Sequence, residues 1–365
     1  MKERQPLVGW AKFLILAFFL FLFPATLHGQ TAEETLAPLN KLAPAQRQQQ
    51  IMAEAKKEGE VMVYTVMTAS DFDELQKSFN QKYPHIRLSK LRQGGGRLYD
   101  IALNEAGSGK HIADVFMAGE SSTGPLVQAG IVGRYLSPER DAYPENHKDP
   151  KGYWTAYLAY RWVFTYNTRL VSPQRLPKNF QELLDPFWKG KLAIDTDPHS
   201  WMAALIKAWG KEKAAEFFHA LARQDLQRRR GRSLRAQLLA AGEFSASVEQ
   251  SDNVIVQLKR RAAPIDYIYL PDTPSSLTPI ALAKHAPHPY AAALFIDFVL
   301  SEEGQRVIAD LDYVPTRSGV KTKDPEHAAR DSRAKIAILN TDWFVDHRAE
   351  VARMADEIFG RGGQE

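Results

Sequence analysis

Short apolar runs alternate with helix-forming segments along most of this chain, and this alternation constrains the fold most. Residues 61–66 read VMVYTV, a β-branched strand pattern, and a helix is predicted from Asp71 until Pro84 ends it. Further strand patterns follow at residues 86–92 (IRLSKLR) and 113–118 (ADVFMA). Strands that alternate with helices predict a parallel sheet with helices packed on its faces.

The same alternation returns after residue 190, which predicts a second lobe. Strands are predicted at residues 191–196 (KLAIDT), 245–250 (SASVEQ) and 265–270 (IDYIYL), and helices within residues 200–222. A chain of 365 residues is also too long for a single compact core. Between the two sets lies the aromatic segment YWTAYLAYRWVFTYNT, residues 153–168, whose alternation fits an extended crossover.

The first 29 residues are predicted to be a secretory signal peptide. Basic Lys2, Arg4 and Lys12 precede an apolar run, which Pro24 and small or polar residues follow. The run has about ten residues and is too short to span a bilayer comfortably, which takes about 20. The chain has no cysteine, so it has neither disulfides nor a lipid attached after the signal. We therefore expect a monomer, soluble in the periplasm.

These patterns predict an α/β fold of two lobes joined by a hinge of two strands. The hinge strands are expected to be the crossover at residues 153–168 and the apolar run TPIALA at residues 278–283. Ligand closure would then be a rigid-body rotation about these strands. The expected boundaries are a signal peptide at 1–29, a polar lead at 30–56, a first lobe at 57–160 plus about 270–310, and a second lobe at 161–269 plus about 311–365.

Composition and local motifs argue against several function classes. The formal charge is +4, from 47 Lys and Arg against 43 Asp and Glu, which is too small an excess to indicate a nucleic-acid partner. In GSGK, residues 107–110, the next residue is His111, where a phosphate-binding loop needs Ser or Thr. GESSTG at residues 119–124 is not a nucleophile elbow. A Ser-His-Asp triad stays open, because triads are assembled in space.

The segment KHAPHPY, residues 284–290, places two histidines three positions apart and raises the question of a metal site. His285 and His288 straddle Pro287, which forces the residue before it into an extended conformation. Pro289 suits the first turn of a helix, where its missing N–H costs nothing. The spacing therefore predicts a helix entry with His288 at the cap, and no metal site.

Several segments together resemble a known family. The stretch APHPYAAALFIDFVLSEEGQRVI followed by YVPTR (313–317) is similar to the C-terminal signature of bacterial extracellular solute-binding proteins of the iron(III)-transporter type. Other pieces agree with that family in order, and the resemblance covers about residues 52–365. These pieces are VYTVMTASDFDELQKSFNQKYPHIRL, ADVFMA, LVQAGIVGRY, YNTRLV, LLDPFWKGKLAI and QLLAAGE.

The resemblance implies a periplasmic-binding-protein-like fold of type II, with two hinged lobes. It implies a binding protein that delivers its ligand to the permease and ATPase of an ABC importer, without catalysis or a cofactor. Iron-binding members carry adjacent tyrosines after the strand that follows GE. Residues 249–253 of this chain read EQSDN there, without the phenolates that suit iron(III). We therefore expect a small polar or anionic solute; iron(III), or a secreted enzyme on the same scaffold, is the alternative.

Candidate ligand contacts in the first lobe follow its three strands. Loops at the carboxyl ends of parallel strands form the ligand site of such sheets. Helix N-termini in these loops attract anions, and glycine lets the backbone approach a ligand. The residues predicted to bind the ligand here are Thr68, Ser70, Gly96, Arg97, Glu120 and Ser121.

Candidate contacts in the second lobe combine an aromatic crossover, strand ends and a basic run. The run QRRRGRSLRAQLLAAGE, residues 227–243, meets a predicted helix N-terminus with Ser233 as its cap, so at least one of Arg229, Arg230 and Arg232 is expected to face the cleft. Trp201 is expected to close over the ligand as a lid. A carboxylate at Glu249 suits a cation or a hydroxyl better than an anion, which leaves the ligand's charge open. The residues predicted to bind here are Tyr166, Asp195, Trp201, Arg232, Ser233 and Glu249.

Overall fold

The computed structural model describes residues 30–339 and 341–360. The predicted signal peptide, residues 1–29, lies outside these described residues. Within them the chain forms α/β lobes with separate hydrophobic cores, one in the first lobe and two adjoining clusters in the second. The predicted α/β architecture is confirmed.

Twelve strands in the described residues are connected by pairing, eight along one path and four paired to strands of that path. The order along this path is β2-β1-β3-β10-β5-β8-β6-β7, with β4 and β12 paired to β10 and with β9 and β11 paired to β5. The strands are β1 (Glu60–Thr65), β2 (Arg87–Arg92), β3 (Val115–Met117), β4 (Val132–Gly133), β5 (Thr155–Asn167), β6 (Leu192–Ile194), β7 (Gln227–Arg228), β8 (Ala246–Ser251), β9 (Ile265–Ile268), β10 (Thr273–Ala283), β11 (Val314–Pro315) and β12 (Ile336–Ile338).

Helices cover the faces of the sheets. Within the described residues, no helix combines the length and the apolar character that a membrane span requires. The helices are α1 (Ala32–Leu36), α2 (Pro44–Glu58), α3 (Ala69–Lys82), α4 (Gly95–Gly107), α5 (Glu120–Gln128), α6 (His199–Trp209), α7 (Lys211–Ala222), α8 (Arg232–Ala241), α9 (Asp252–Arg260), α10 (Pro289–Leu300), α11 (Glu302–Asp310), α12 (Pro325–Asp331) and α13 (Thr341–Phe359).

The first three strands and their helices repeat the predicted alternation. β1 pairs in parallel with both β2 and β3, and α3 follows β1 with Phe72, Leu75 and Phe79 buried. The start of α3 differs from the prediction at Asp71, because Thr68 is the N-cap and its Oγ1 accepts a hydrogen bond of 3.2 Å from the Asp71 N–H. Thr68 combines an extended backbone conformation with a hydroxyl that accepts this hydrogen bond. The N-cap therefore lies three positions before the predicted one.

The aromatic segment forms β5, which runs from one sheet into the other. Its first part, Thr155 to Arg161, pairs with β10, and its second part, from Trp162, pairs with β8 and β9. The run at 278–283 was expected to be the second hinge strand, but it pairs with β3 and β5 inside the first sheet. That run is apolar because a central strand is buried on both faces. The chain returns to the first sheet earlier, between β9 and β10.

Residues 30–56, expected to be a polar lead, form α1 and most of α2. Their buried side chains, including Leu36 and Ile51, belong to the first core, and α2 packs against α10. Its apolar residues are few and widely spaced among polar ones, and even the buried Arg47 of this segment is charged and pairs with Asp297 at 2.9 Å. The first lobe also extends past residue 310, because Val314 of β11 pairs with Ala159 of β5.

The histidines of KHAPHPY lie at a helix entry, as predicted. His288 is the N-cap of α10 and Pro289 is the first helical residue. The His288 backbone N–H and ring Nδ1 lie 2.7 and 3.0 Å from the carboxylate of Asp114, whereas His285 packs against the ring of His111 at 4.6 Å. The two imidazoles therefore face different partners.

Candidate functional site

A cleft of about 730 Å³ lies where strand-end loops of both lobes meet β5. Gly94, Gly96 and Ser121 line it from the first lobe. Tyr160 and Trp162 line it from the crossover strand β5, and the loops after β6 and β7 line it from the second lobe. Ligand sites for small molecules have volumes of roughly 300–1,000 Å³, so the cleft is large enough for an organic solute.

Four helices begin at this cleft, and none of their N-cap residues caps its helix through a side chain, although the Asp197 carboxylate accepts a hydrogen bond from the His199 N–H in the first turn of α6. α4 begins at Gly95, α5 at Glu120, α6 at His199 and α8 at Arg232, and none of their N-cap residues makes a side-chain hydrogen bond to the helix. Each helix follows a strand, so its first turn lies at the strand's carboxyl end. Uncapped first turns present unpaired backbone N–H groups and the positive end of the helix dipole. Four such ends at one cleft favour a negatively charged ligand.

Two arginines add full positive charge to these partial charges. Arg230 and Arg232 both line the cleft, and in the part of the chain that the structure describes neither has a carboxylate oxygen within 4.0 Å. The guanidinium carbon of Arg232 lies 4.6 Å from the ring centroid of Tyr160, a cation–π distance that holds it at the centre of the cleft. The expectation that a guanidinium of the basic run faces the cleft fits this placement.

The carboxylates of Asp195 and Glu249 pair with an arginine that the sequence analysis missed. Arg235 is fully buried, its Nη2 lies 2.8 Å from Glu249 Oε1, and its Nη1 pairs with Asp195. The Asp195 N–H donates to Glu249 Oε1 at 2.8 Å, and the Gly231 N–H donates to Asp195 at 3.2 Å. Glu249 therefore neutralises a buried cation, which removes the conflict between this carboxylate and an anionic ligand.

A signal for Arg235 was present in the sequence. In the helix segment LRAQLLAA, the arginine lies four residues before Leu239 and next to Ala236, so helical periodicity places it on the buried face of α8. A charge on an apolar helix face is rarely buried without a partner. Such a position predicts a carboxylate opposite it, which here is supplied by β8 and the end of β6.

Two buried glutamates, Glu249 in the cleft lining and Glu120 behind it, have pKa values well above the ordinary range. Burial raises the pKa of Glu249 from 4.5 to about 7. Burial also raises the pKa of Glu120 from 4.5 to about 7, although the Ser276 hydroxyl donates to its carboxylate at 2.6 to 2.7 Å. Both groups therefore titrate near neutral pH, at the edge of a site that favours anions.

We expect Glu120 to make folding stability depend on pH. Its pKa is about 7 in the folded state against 4.5 when exposed, so folding favours the protonated form. The contribution to stability is full below about pH 4.5 and is lost as pH rises to about 7. The free energy of unfolding, measured with urea, should therefore decrease between pH 5 and pH 8 by less in Glu120→Gln than in the parent protein. The exposed Glu216→Gln is the matched control, and an unchanged pH slope in Glu120→Gln would contradict the assignment.

The structure brings together six of the twelve predicted site residues at the cleft. Two more, Thr68 and Ser233, line a neighbouring pocket of about 160 Å³ that shares Arg232 with the cleft. Ser70 and Arg97 are exposed and line neither space, and Glu120 is buried against Ser276. The six at the cleft are Gly96, Ser121, Asp195, Trp201, Arg232 and Glu249.

Two details of the predicted site differ in the structure. Gly231, not Ser233, is the N-cap of α8, because only glycine readily adopts its φ of 88°. Tyr166 pairs with Ala246 and Asp266 within the second lobe, about 20 Å along β5 from Tyr160, which lines the cleft.

Trp201 was expected to act as a lid, but its side chain is fixed. It is 1 % exposed, and its ring lies 5.4 to 6.4 Å from the rings of Phe180, Phe217 and Phe218. A large aromatic ring gains more by packing in the core than by covering a polar cleft. Trp201 therefore forms part of the cleft floor.

Comparison with known proteins identifies the family. The model of a family described as bacterial extracellular solute-binding protein matches residues 110–343. The chain belongs to this family. Among its relatives, an uncharacterized protein of Haemophilus influenzae is 27% identical over 275 residues, which cover 70% of this chain and 77% of that protein. This chain is thus a solute-binding protein, and the predicted family is confirmed.

Solved structures similar to this solute-binding protein have the predicted two-lobed type II fold. Iron-bound HitA from Pseudomonas aeruginosa superimposes with a TM-score of 0.74 at 21% identity, covering 82% of this chain and 99% of HitA. The periplasmic binding protein AfuA from Actinobacillus pleuropneumoniae, with fructose-6-phosphate bound, gives 0.69 at 23% identity, covering 82% and 98%. At such identities the likeness establishes the fold alone.

Proposed function

We propose that this solute-binding protein captures a small anionic solute in the cleft between its lobes and delivers it to an ABC importer. Its partners would be the permease and the ATPase of that importer, and it would act in the periplasm after removal of the predicted signal peptide. The observation that carries the proposal is the convergence of four uncapped helix N-termini with Arg230 and Arg232. AfuA, a structural relative with a bound sugar phosphate, supports an anion as the ligand.

The balance of charge at the cleft favours an anion. Asp195 and Glu249 are occupied by Arg235, and Asp197 pairs with His199 at 2.7 Å. Arg235 is one cation facing two carboxylates, and Asp356 also lines the cleft. The cations in the cleft that have no carboxylate oxygen within 4.0 Å among the described residues are Arg230, Arg232 and Arg348. Arginine binds carboxylate and phosphate oxygens with paired hydrogen bonds, which gives both affinity and orientation.

Iron(III) is the competing ligand, because the structural relative HitA is iron-bound. Iron(III) needs several anionic oxygen donors, yet among the described residues that line the cleft the one tyrosine is Tyr160, whose pKa burial raises. Residues 249–253, where the paired tyrosines are expected, read EQSDN, and Asp252 is buried against His327 at 2.9 Å. These contacts disfavour iron as the ligand.

The other alternative function is that of a secreted enzyme built on the same two-lobed scaffold. The family is one of binding proteins, and the proposed function needs no reacting group in the cleft. Asp197 lies 2.7 Å from the His199 ring, as in the acid–base pair of a triad, but among the described residues no serine hydroxyl is hydrogen-bonded to that ring. We therefore propose capture and release of an unaltered solute.

The ligand itself provides the test of this proposal. Protein purified from its native host should be denatured, and the released small molecules and metals should be identified by mass spectrometry. We expect one anionic organic molecule per chain, recovered chemically unchanged after incubation with the refolded protein. Recovery of stoichiometric iron with a visible absorption band, or conversion of the molecule to a product, would overturn the proposal.

A further inference from the structure

The C-terminal helix α13 forms one wall of the cleft, and it lies mostly outside the region that the family model matches. The match ends at residue 343, whereas α13 runs from Thr341 to Phe359. Three of its side chains, Phe344, Arg348 and Asp356, line the cleft. They are spaced by four and eight residues, which places them on one face of the helix.

The second lobe anchors α13 firmly. Phe344, Val351 and Ala355 are buried in the second core, and α13 packs against α6 and α7. At the far end, Arg228 Nη1 donates to the carbonyls of Phe359 and Gly360 at 2.7 and 3.0 Å. The helix therefore moves with the second lobe, and its cleft face has a fixed position there.

The first turns of α13 contact the first lobe as well. Val345 lies against Gly124 of α5 so closely that a Cβ at Gly124 would be 2.0 Å from Val345 Cγ2, and Thr341 also contacts this position. α5 is one of the helices whose N-terminus opens on the cleft. Because α13 contacts both lobes, a change in their separation would change the distance between its cleft face and a bound ligand.

Arg348 is the free cation on this face. It is exposed, and among residues 30–339 and 341–360 no carboxylate oxygen lies within 4.0 Å of it. Asp356, the acidic group of the same stripe, is eight residues away, about 12 Å along the helix axis. Arg348 projects from a different element than Arg230 and Arg232, so the cleft has a second cationic position apart from the first.

We propose that Arg348 is a ligand-contacting residue that selects solutes with a second anionic group, and that α13 brings it to the ligand when the lobes close. This inference rests on the proposed function, which assigns the first anionic group to the helix N-termini and Arg232. A cleft of about 730 Å³ has room for a molecule with an anionic group at each end, well beyond a single tetrahedral ion.

The test compares three probes that differ in the number and spacing of anionic groups. Inorganic phosphate, fructose 6-phosphate and fructose 1,6-bisphosphate are titrated into ligand-free protein by calorimetry. For Arg348→Ala we expect about a tenfold loss of affinity for the bisphosphate and less than about twofold change for inorganic phosphate. Arg353→Ala is the matched control, because this exposed arginine lies on α13 and does not line the cleft. Thermal unfolding of each variant establishes that the fold is intact.

Each outcome decides between the two proposals. If Arg348→Ala leaves the bisphosphate affinity unchanged, or weakens all probes equally, the role of Arg348 is wrong even though anion binding stands. If the parent protein binds none of the probes and its native ligand is a cation, the proposed function fails and this inference fails with it. A charge-reversed Arg348→Glu should weaken bisphosphate binding further than Arg348→Ala does.

Discussion

Replacing Arg235 with alanine is expected to lower the free energy of unfolding by about 3–5 kcal/mol, the cost of breaking a buried ion pair from one side. Its side chain has no exposure and pairs with both Asp195 and Glu249. Without it, two carboxylates face each other at the end of β6 and β8, and one must take up a proton or admit water. Urea unfolding followed by circular dichroism measures the loss.

A surface arginine from the same basic run serves as the control for this prediction. Arg229 pairs with Glu243, and both side chains are more than a third exposed, so Arg229→Ala should cost at most about 1 kcal/mol. Equal losses in the two variants would show that Arg235 does not carry the electrostatics of the second lobe. Arg235→Lys should recover only part of the loss, because a lysine cannot contact two carboxylates and the Ser247 hydroxyl at once.

Arg232→Ala is expected to weaken binding of an anionic solute by roughly 10- to 100-fold. Hydrogen bonds between charged groups contribute about 1.5–3 kcal/mol, and about 1.4 kcal/mol corresponds to a factor of ten. Arg232 has no carboxylate partner within 4.0 Å in the described residues, so its removal breaks no ion pair and should leave the fold intact. Calorimetric titration with the native ligand measures the affinity.

The matched control for this second prediction is Arg261→Ala. Arg261 is exposed and lines the neighbouring pocket together with Arg232, but it does not line the cleft. Its removal should change affinity by less than about twofold, because exposed charges are screened beyond a Debye length of about 8–10 Å. If both variants lose affinity equally, the ligand responds to overall charge and not to the guanidinium of Arg232.

The strands and helices could be predicted from the sequence because each has a strong local pattern. The apolar alternation of β1, the buried face of α3 and the proline entry of α10 all depend on neighbouring residues alone. The strand-end rule also placed Asp195 and Glu249 at the cleft. What these residues do there could not be predicted, because their partner Arg235 lies on a helix that only the tertiary fold brings opposite them.

The sequence predictions that differ from the structure share one physical cause, which is contact between residues that are far apart in the chain. Tyr166 and Tyr160 are equivalent in the aromatic pattern of β5, and only the point at which the strand changes sheets separates them. The run at 278–283 is apolar whether it crosses between lobes or lies at the centre of a sheet. The part of the cleft wall that α13 forms depends on where this helix packs against the two lobes. The sequence of α13 alone does not indicate where it packs.

The exchange of strands between the lobes also limits the order in which a growing chain can complete its structure. Most of the second lobe, including β6, β8 and β9, lies in a single stretch between residues 162 and 268. The first sheet needs β10 between β3 and β5, and its core needs α10, which ends at Leu300. A chain that stops before β10 therefore leaves β3 and half of β5 with open edges, where unpaired backbone invites aggregation or proteolysis. The N-terminal residues emerge first, yet the lobe that they begin is completed late.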